Sequence, residues 1–411
     1  MVQQASAVPE PAPRCRYCPC QSDPVTSGRE LGFYLHVPFC ASRCGYCDFN
    51  TYTAAELGAD SARISKDSWS QFAAREIALA RESEHLATDE RQITTVFFGG
   101  GTPTLVPPAH LVATVAELRN EFGLATDAEV TTEANPDSID AEGLATLRAG
   151  GFTRVSFGHQ SSAASVLRVL ERSHTPGRTL RAVADARAAG FEHINIDLIY
   201  ATPGETESDL RRTLDDVISS GADHVSAYSL IVEPGTRLAA HVRRGDIPVP
   251  DDDTAAQRYQ LIDAALRAAG FHWYEVSNWA KPGAHCRHNL VYWHNHDWWG
   301  VGPGAHSHMR GRRWWNHKHP ARWAGDLVAG SLPVAGAEDV DAAGQTLEHV
   351  MLGLRLREGI STGVLTPEAR VRADEFARDG LLEAEALQGG RAVLSDAGRL
   401  LADAVVRELT P

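Results

Sequence analysis

Gly32-Phe-Tyr-Leu-His-Val-Pro-Phe-Cys40-Ala-Ser-Arg-Cys44-Gly-Tyr-Cys47-Asp-Phe49 is an apolar run that opens onto three closely spaced cysteines. Residues 33–37, aromatic and branched, read as a strand. The cysteines follow at C-x3-C-x2-C spacing on the loop after it. Three thiolates on one short loop can hold three irons of a [4Fe–4S] cluster, leaving the fourth iron open to a small molecule. A zinc knuckle is the competing reading. Structural zinc wants four ligands, usually as two close pairs, and no second pair follows at the usual distance. Cys40, Cys44 and Cys47 are therefore candidate iron ligands.

Outward from this loop the chain repeats itself. Strand-like runs at 33–37, 94–98, 130–133, 154–157, 193–199 and 224–230 alternate with amphipathic helical stretches at 68–81, 109–121, 142–148, 178–189 and 207–219. Several helical stretches close on a glycine that leads straight into the next strand, the residue that tolerates a left-handed helix end. Six β/α units with short joins predict a parallel sheet with helices outside, as an incomplete barrel or an open doubly wound sheet. A helix at 251–268 and a strand at 271–276 follow. From residue 340 the chain reads as helical, with a hairpin around Gln388-Gly389-Gly390 and a last helix at 395–409.

In parallel α/β folds, ligands gather where strands end. The second strand runs into Gly99-Gly100-Gly101-Thr102-Pro103-Thr104, whose glycines let backbone approach a ligand closely. The third ends in Glu133-Ala134-Asn135, the fourth in Gly158-His159-Gln160-Ser161, and the fifth carries Asp197. Residues 285–319 hold eight of the 18 histidines and five of the nine tryptophans. A core does not need that density of side chains that each demand a hydrogen-bond partner. Neutral imidazoles among aromatics suit a flat tetrapyrrole with a ligated iron.

The cysteine loop resembles the signature of the radical S-adenosylmethionine (SAM) enzymes. His36-Val-Pro-Phe-Cys40 and Cys47-Asp-Phe49 narrow the likeness to the oxygen-independent coproporphyrinogen dehydrogenase group, and the His288-Asn289-Leu-Val-Tyr292-Trp293 run to its haem-chaperone branch. The dehydrogenases carry a further cysteine where this chain has Phe49. The resemblance implies a partial (β/α)6 barrel over residues 31–277. A His/Trp-rich segment, 278–335, and a small winged-helix-like α+β domain, 336–411, would follow. It implies a [4Fe–4S] cluster whose open iron binds SAM, and reduction that cleaves SAM to a 5′-deoxyadenosyl radical. It assigns SAM contacts to Tyr34, Tyr46, Gly100, Gly101, Thr102, Glu133, Gln160, Arg172 and Asp197, with one or two SAM sites left open. His288 becomes the first candidate for haem. The implied function is haem binding and delivery to an acceptor, such as a membrane-associated respiratory protein, with flavodoxin or ferredoxin as electron donor. The alternative is oxidative decarboxylation of coproporphyrinogen III.

Composition sets outer bounds. The chain has 411 residues and a net charge of −14, which disfavours a nucleic-acid partner. Residues 340–411 carry 12 acidic and 8 basic side chains, so a winged-helix shape there does not point to DNA. No apolar run is long enough to span a bilayer, and no secretory signal is legible. A cytoplasmic location and reduced thiols are expected. Residues 1–30 read as a disordered leader, with Cys15, Cys18 and Cys20 as stray thiols in it.

Overall fold

Six strands, β1 (Leu31–Val37), β2 (Ile93–Gly100), β3 (Leu124–Ala134), β4 (Arg154–Gln160), β5 (His193–Tyr200) and β6 (His224–Ser229), lie side by side in chain order, all parallel. The computed structural model describes residues 28–59, 64–172, 175 and 177–410. The expected leader, with Cys15, Cys18 and Cys20, lies almost wholly outside them. Helices follow the strands, among them Trp69–Glu82, Pro108–Phe122, Ala141–Ala149, Arg178–Ala188, Glu207–Ser219 and Asp252–Ala268. An unbroken 1-2-3-4-5-6 order is that of a chain wound in one direction, as in a barrel. A doubly wound sheet reverses its order part-way.

Alternation along the strands sorts the two faces. Phe33, Leu35, Val96, Phe98, Val155, Phe157, Ile194 and Ile196 are fully buried against the helical layer. The residues between them point inward, and across β3 to β6 one row of them is polar: Glu133, Ser156, Asn195 and His224 lie side by side. A closed (β/α)8 barrel fills its interior with branched apolar side chains. This lumen is instead lined for a ligand. At the helix-to-strand joins the expected geometry is found; Gly221, for instance, has φ of 85°.

The His/Trp-rich stretch is built into this sheet. Beyond β6 lie β7 (His272–Glu275) and β8 (Asn278–Ala280), both antiparallel to their neighbours. Beyond β1 lie β9 (Asp297–Val301), parallel to it, and then β10 (His306–Met309), β11 (Arg312–Asn316) and β12 (Val334–Asp339), antiparallel. The result is one twelve-stranded sheet. Between β8 and β9 the chain crosses from one flank to the other through the short helix Arg287–Trp293. That helix sits under the barrel, at the amino ends of the strands. Buried Glu129, midway along β3 and opposite Thr95 of β2, accepts the N–H groups of Arg287 (3.1 Å) and His288 (3.0 Å) and pairs with Arg154 at 3.0 Å.

The last seventy residues pack about a cluster of their own, including Leu354, Ile360, Ala373, Leu382, Leu394 and Val405. The hairpin expected around Gln388–Gly390 is a wide one: Leu382 bridges Leu394 antiparallel, with Glu383 N–H donating to Val393 O at 2.9 Å, and the helix Ala384–Gln388 lies in the loop between them. On its return β14 (Arg391–Ala392) pairs with the distant β13 (Ile360–Ser361). One sequence expectation changes here. The final helix is broken at Leu401 into Asp396–Leu400 and Ala402–Leu409. Arg399 ties this part to the barrel, bonding Asp263 at 3.0 Å and lying 4.5 Å over the Trp273 ring. No helix among the described residues is long and apolar enough to cross a membrane.

Candidate functional site

The cysteine loop leaves the carboxyl end of β1 and is closed at its base by backbone. Cys40 N–H donates to Tyr52 O at 3.0 Å, and Tyr52 N–H to Pro38 O at 2.7 Å. The glycine run after β2 grips the same base: Gly101 N–H donates to Val37 O at 2.8 Å and Thr102 N–H to Phe39 O at 2.7 Å. A Cβ on Gly101 would lie 2.4 Å from Phe39 O, and one on Gly100, whose φ is +109°, 2.6 Å from the His36 ring. The glycines thus admit the cysteine loop, and Gly100 and Gly101 also line a cavity. Tyr46 is anchored beside an apolar group containing Leu170, Ile199 and Leu238.

Above the strand ends opens a cavity of about 550 Å³, within the range of small-molecule sites. Cys40, Cys44, Cys47 and Tyr46 form one wall. Gly100, Gly101 and Thr102 form another, and Glu133, Gln160, Arg172 and Asp197 complete the floor. All three cysteines are free thiols. Burial, and then the neighbouring Cys47, push the Cys40 thiol up to about 11. Among the described residues no three metal-ligating side chains close on one point as around a single ion. A four-iron cluster takes its thiolates on separate irons, so its sulfurs stand apart.

The floor is strongly constrained. Arg172 donates to Cys44 Sγ at 3.5 Å and to Gly158 O at 3.0 Å, and its buried Nε has no partner among the described residues. Gln160 has φ of +67° at an irregularity in β4, a strained placement of the kind found at ligand sites. Glu133 accepts the Gly100 N–H at 3.1 Å. Burial, and then the Asp197 carboxyl, push it up to about 8. Asp197, itself raised by burial, accepts from Ser156 Oγ at 2.8 Å and Asn195 Nδ2 at 2.7 Å. His159, the odd residue of the fourth strand end, faces away: its ring bonds Thr179 and Ser162 at 3.0 and 2.9 Å.

Two of the expected site residues are elsewhere. Tyr34 and His288 line a smaller cavity of about 140 Å³ deeper in the lumen, which shares Glu133, Ser156, Asp197 and Tyr228 with the upper one. His288 is 1% exposed. Its Nδ1 bonds Thr95 Oγ1 at 2.8 Å and its Nε2 bonds Tyr292 Oη at 2.7 Å. Its ring stacks on Phe97 with centroids 5.2 Å apart. Both nitrogens of His288 are thus engaged, and neither is free for an iron as the ring stands. His288 and Tyr292, one helical turn apart, lie at the bottom of the barrel. The upper cavity also holds Ser156 and residues 228–233 after β6, which sequence reading passed over. The strand-end rule applied to the sixth strand would have found the latter.

A model of the radical SAM superfamily matches residues 34–217. The heme chaperone HemW of Mycobacterium tuberculosis is 52% identical over 382 residues, covering 93% of this chain and 95% of that protein. The chain belongs to the HemW family of radical SAM proteins. The HemW of Bacillus subtilis is 34% identical, covering 80% of this chain and 84% of its own. Among solved structures, coproporphyrinogen III oxidase (HemN) from Escherichia coli superposes with a TM-score of 0.78 at 21% identity, covering 93% of this chain and 90% of that one. The shared fold therefore extends past the barrel into the C-terminal part.

Proposed function

We propose that this chain is a haem chaperone that carries a [4Fe–4S] cluster on Cys40, Cys44 and Cys47, binds SAM beside it, and hands haem to an acceptor protein. The observation that supports it most is the upper cavity: three free thiols from one loop face a floor of Glu133, Gln160, Arg172 and Asp197. The donor set fits. Three thiolates and no fourth leave an iron for SAM, and the glycine run offers backbone and Thr102 opposite. When bound, cluster and SAM supply one-electron chemistry at a sulfonium. The chain's own residues hold and orient. Arg172 places a cation beside Cys44, offsetting the negative charge that thiolates bring. Glu133 and Asp197 offer acceptors to ligand hydroxyls or an ammonium in a site where water is scarce. Haem itself is supported by the HemW relatives, and the absence of the extra cysteine at Phe49 separates the chain from decarboxylation. Phe49 is 63% exposed at the cavity lip. Electron supply would come from a flavodoxin- or ferredoxin-like donor.

Anaerobic reconstitution should load about four irons per chain. Cys40→Ala, Cys44→Ala or Cys47→Ala should each abolish the cluster, and loss of Cys15, Cys18 and Cys20 together should leave it. The wild-type chain should take up about one haem and leave coproporphyrinogen III unconverted under SAM and reductant. Sustained decarboxylation would replace the chaperone reading with the dehydrogenase one.

A further inference from the structure

The inner face of the barrel continues sideways beyond β1 onto β9, β10 and β11. Tyr34 pairs with Gly300, and His306 with Trp315, which pairs with Gly336. One row down, Trp298 pairs with His308. Cross-strand partners share a face, so Trp298, His306, His308 and Trp315 stand together, with the His306 backbone packed over Gly300 and the Trp315 ring over Gly336. The opposite face carries Trp299 and Trp314, which are buried in the core. On the near face His306 is exposed, and Trp298 and Trp315 are partly so.

The histidines of this block differ in what their nitrogens do. His288 and His308 have both engaged, His308 with His296 O (3.0 Å) and Gly311 N–H (3.2 Å). His294 and His317 face Glu358 and Asp326. His296 spends its acceptor nitrogen on the Glu30 N–H. His306 bonds Gly304 O through Nδ1 at 3.1 Å. A carbonyl only accepts, so Nδ1 carries the hydrogen and Nε2 the lone pair. Nε2 has no partner among the described residues. A backbone carbonyl that fixes the tautomer is the arrangement metal-bound imidazoles use. Burial lowers the His306 basicity, the Gly304 carbonyl works against that, and Lys318 nearby adds to the lowering. The loop before His306 is tied to the cluster loop: Asn50 Nδ2 donates to Pro303 O at 3.0 Å and Lys318 O at 2.8 Å, three residues after Cys47.

We propose that haem docks on this face of β9–β11, with Nε2 of His306 as its axial iron ligand, Trp298 and Trp315 against the porphyrin ring, and Lys318 for a propionate. The inference rests on the haem-chaperone reading and moves the iron ligand from the barrel floor to the outer sheet, beside the cluster loop.

The test titrates the full chain with ferric haem and, separately, with iron-free protoporphyrin IX. In His306→Ala, haem affinity should fall roughly tenfold or more and the Soret band should shift. Protoporphyrin affinity should stay within about twofold of wild type, because only the iron bond is lost. Added imidazole should restore the wild-type Soret band in His306→Gly, a rescue that a folding defect would not permit. Trp315→Ala should weaken both ligands. An unchanged Soret band and haem affinity in His306→Ala would overturn this ligand while leaving the chaperone reading intact. Failure of the wild-type chain to bind haem at all would overturn both.

Discussion

A carboxyl group buried beside a second carboxyl keeps its proton until a donor or a cation arrives. Glu133 is in that position, held up to about 8 by burial and by Asp197. Its one backbone partner is Gly100 N–H. Glu133→Ala would strand that donor and one on the ligand, each unsatisfied buried group being worth about 1–3 kcal/mol. SAM affinity should therefore drop roughly five- to hundredfold, with iron content unchanged. Glu133→Gln keeps an acceptor for Gly100 and should lose less. Calorimetric titration of both reconstituted variants is the check, and wild-type affinity in both would mean that SAM sits elsewhere. Residues such as Cys40, Cys44 and Cys47 are found from sequence because their chemistry is contiguous. Tyr34 and His288 are not, because which of two cavities a side chain enters is decided by strand register and by what closes the barrel.

Among the elements, the helix Arg287–Trp293 has the largest consequence for its length. It is held by Glu129, whose carboxylate also neutralises Arg154, a guanidinium only 1% exposed. Removing one partner of such a pair leaves a buried charge uncompensated, at a cost of about 3–5 kcal/mol. Glu129→Ala should lower the unfolding free energy from denaturant titration by that much, and His288→Ala should cost less, while haem affinity in His288→Ala stays within about twofold. A haem spectrum altered in His288→Ala without loss of stability would restore it as the ligand. The parallel units were legible because period-two apolar strands and glycine-closed helices repeat. The closing helix was not: seven residues are too few to show a period, and its partner Glu129 is more than a hundred and fifty residues away. Strands β9–β12 were hidden by composition, since histidine and tryptophan drew attention as ligands before they could be read as sheet. The break at Leu401 and the pairing of β13 with β14 rest on non-local packing that local propensity does not encode.

At the scale of the molecule, Glu76 joins the first barrel helix to the added strands. It accepts from Gly302 N–H (2.8 Å), Trp323 Nε1 (2.7 Å) and Asn316 Nδ2 (2.6 Å), and burial nevertheless pushes it up to about 7. A raised carboxyl favours the folded state when protonated. Its contribution is full below the ordinary value of 4.5 and is lost as the pH rises through about 7. The unfolding free energy should therefore be larger near pH 5 than near pH 8, by up to about 3 kcal/mol from this group. Glu76→Gln should flatten that slope, and an equally steep profile in the variant would assign it to other groups. The sheet topology has a further consequence, in time. β1 carries the cysteine loop, and its two neighbours are β2 and β9. A ribosome adding about 5–20 residues per second needs on the order of ten to fifty seconds to travel from Leu31 to Asp297. Until then β1 has one bare edge, and the loop it supports waits beside an unfinished wall. Iron delivered before that point would meet thiols on a half-built platform, so metal loading belongs after β9 has been made and paired with β1.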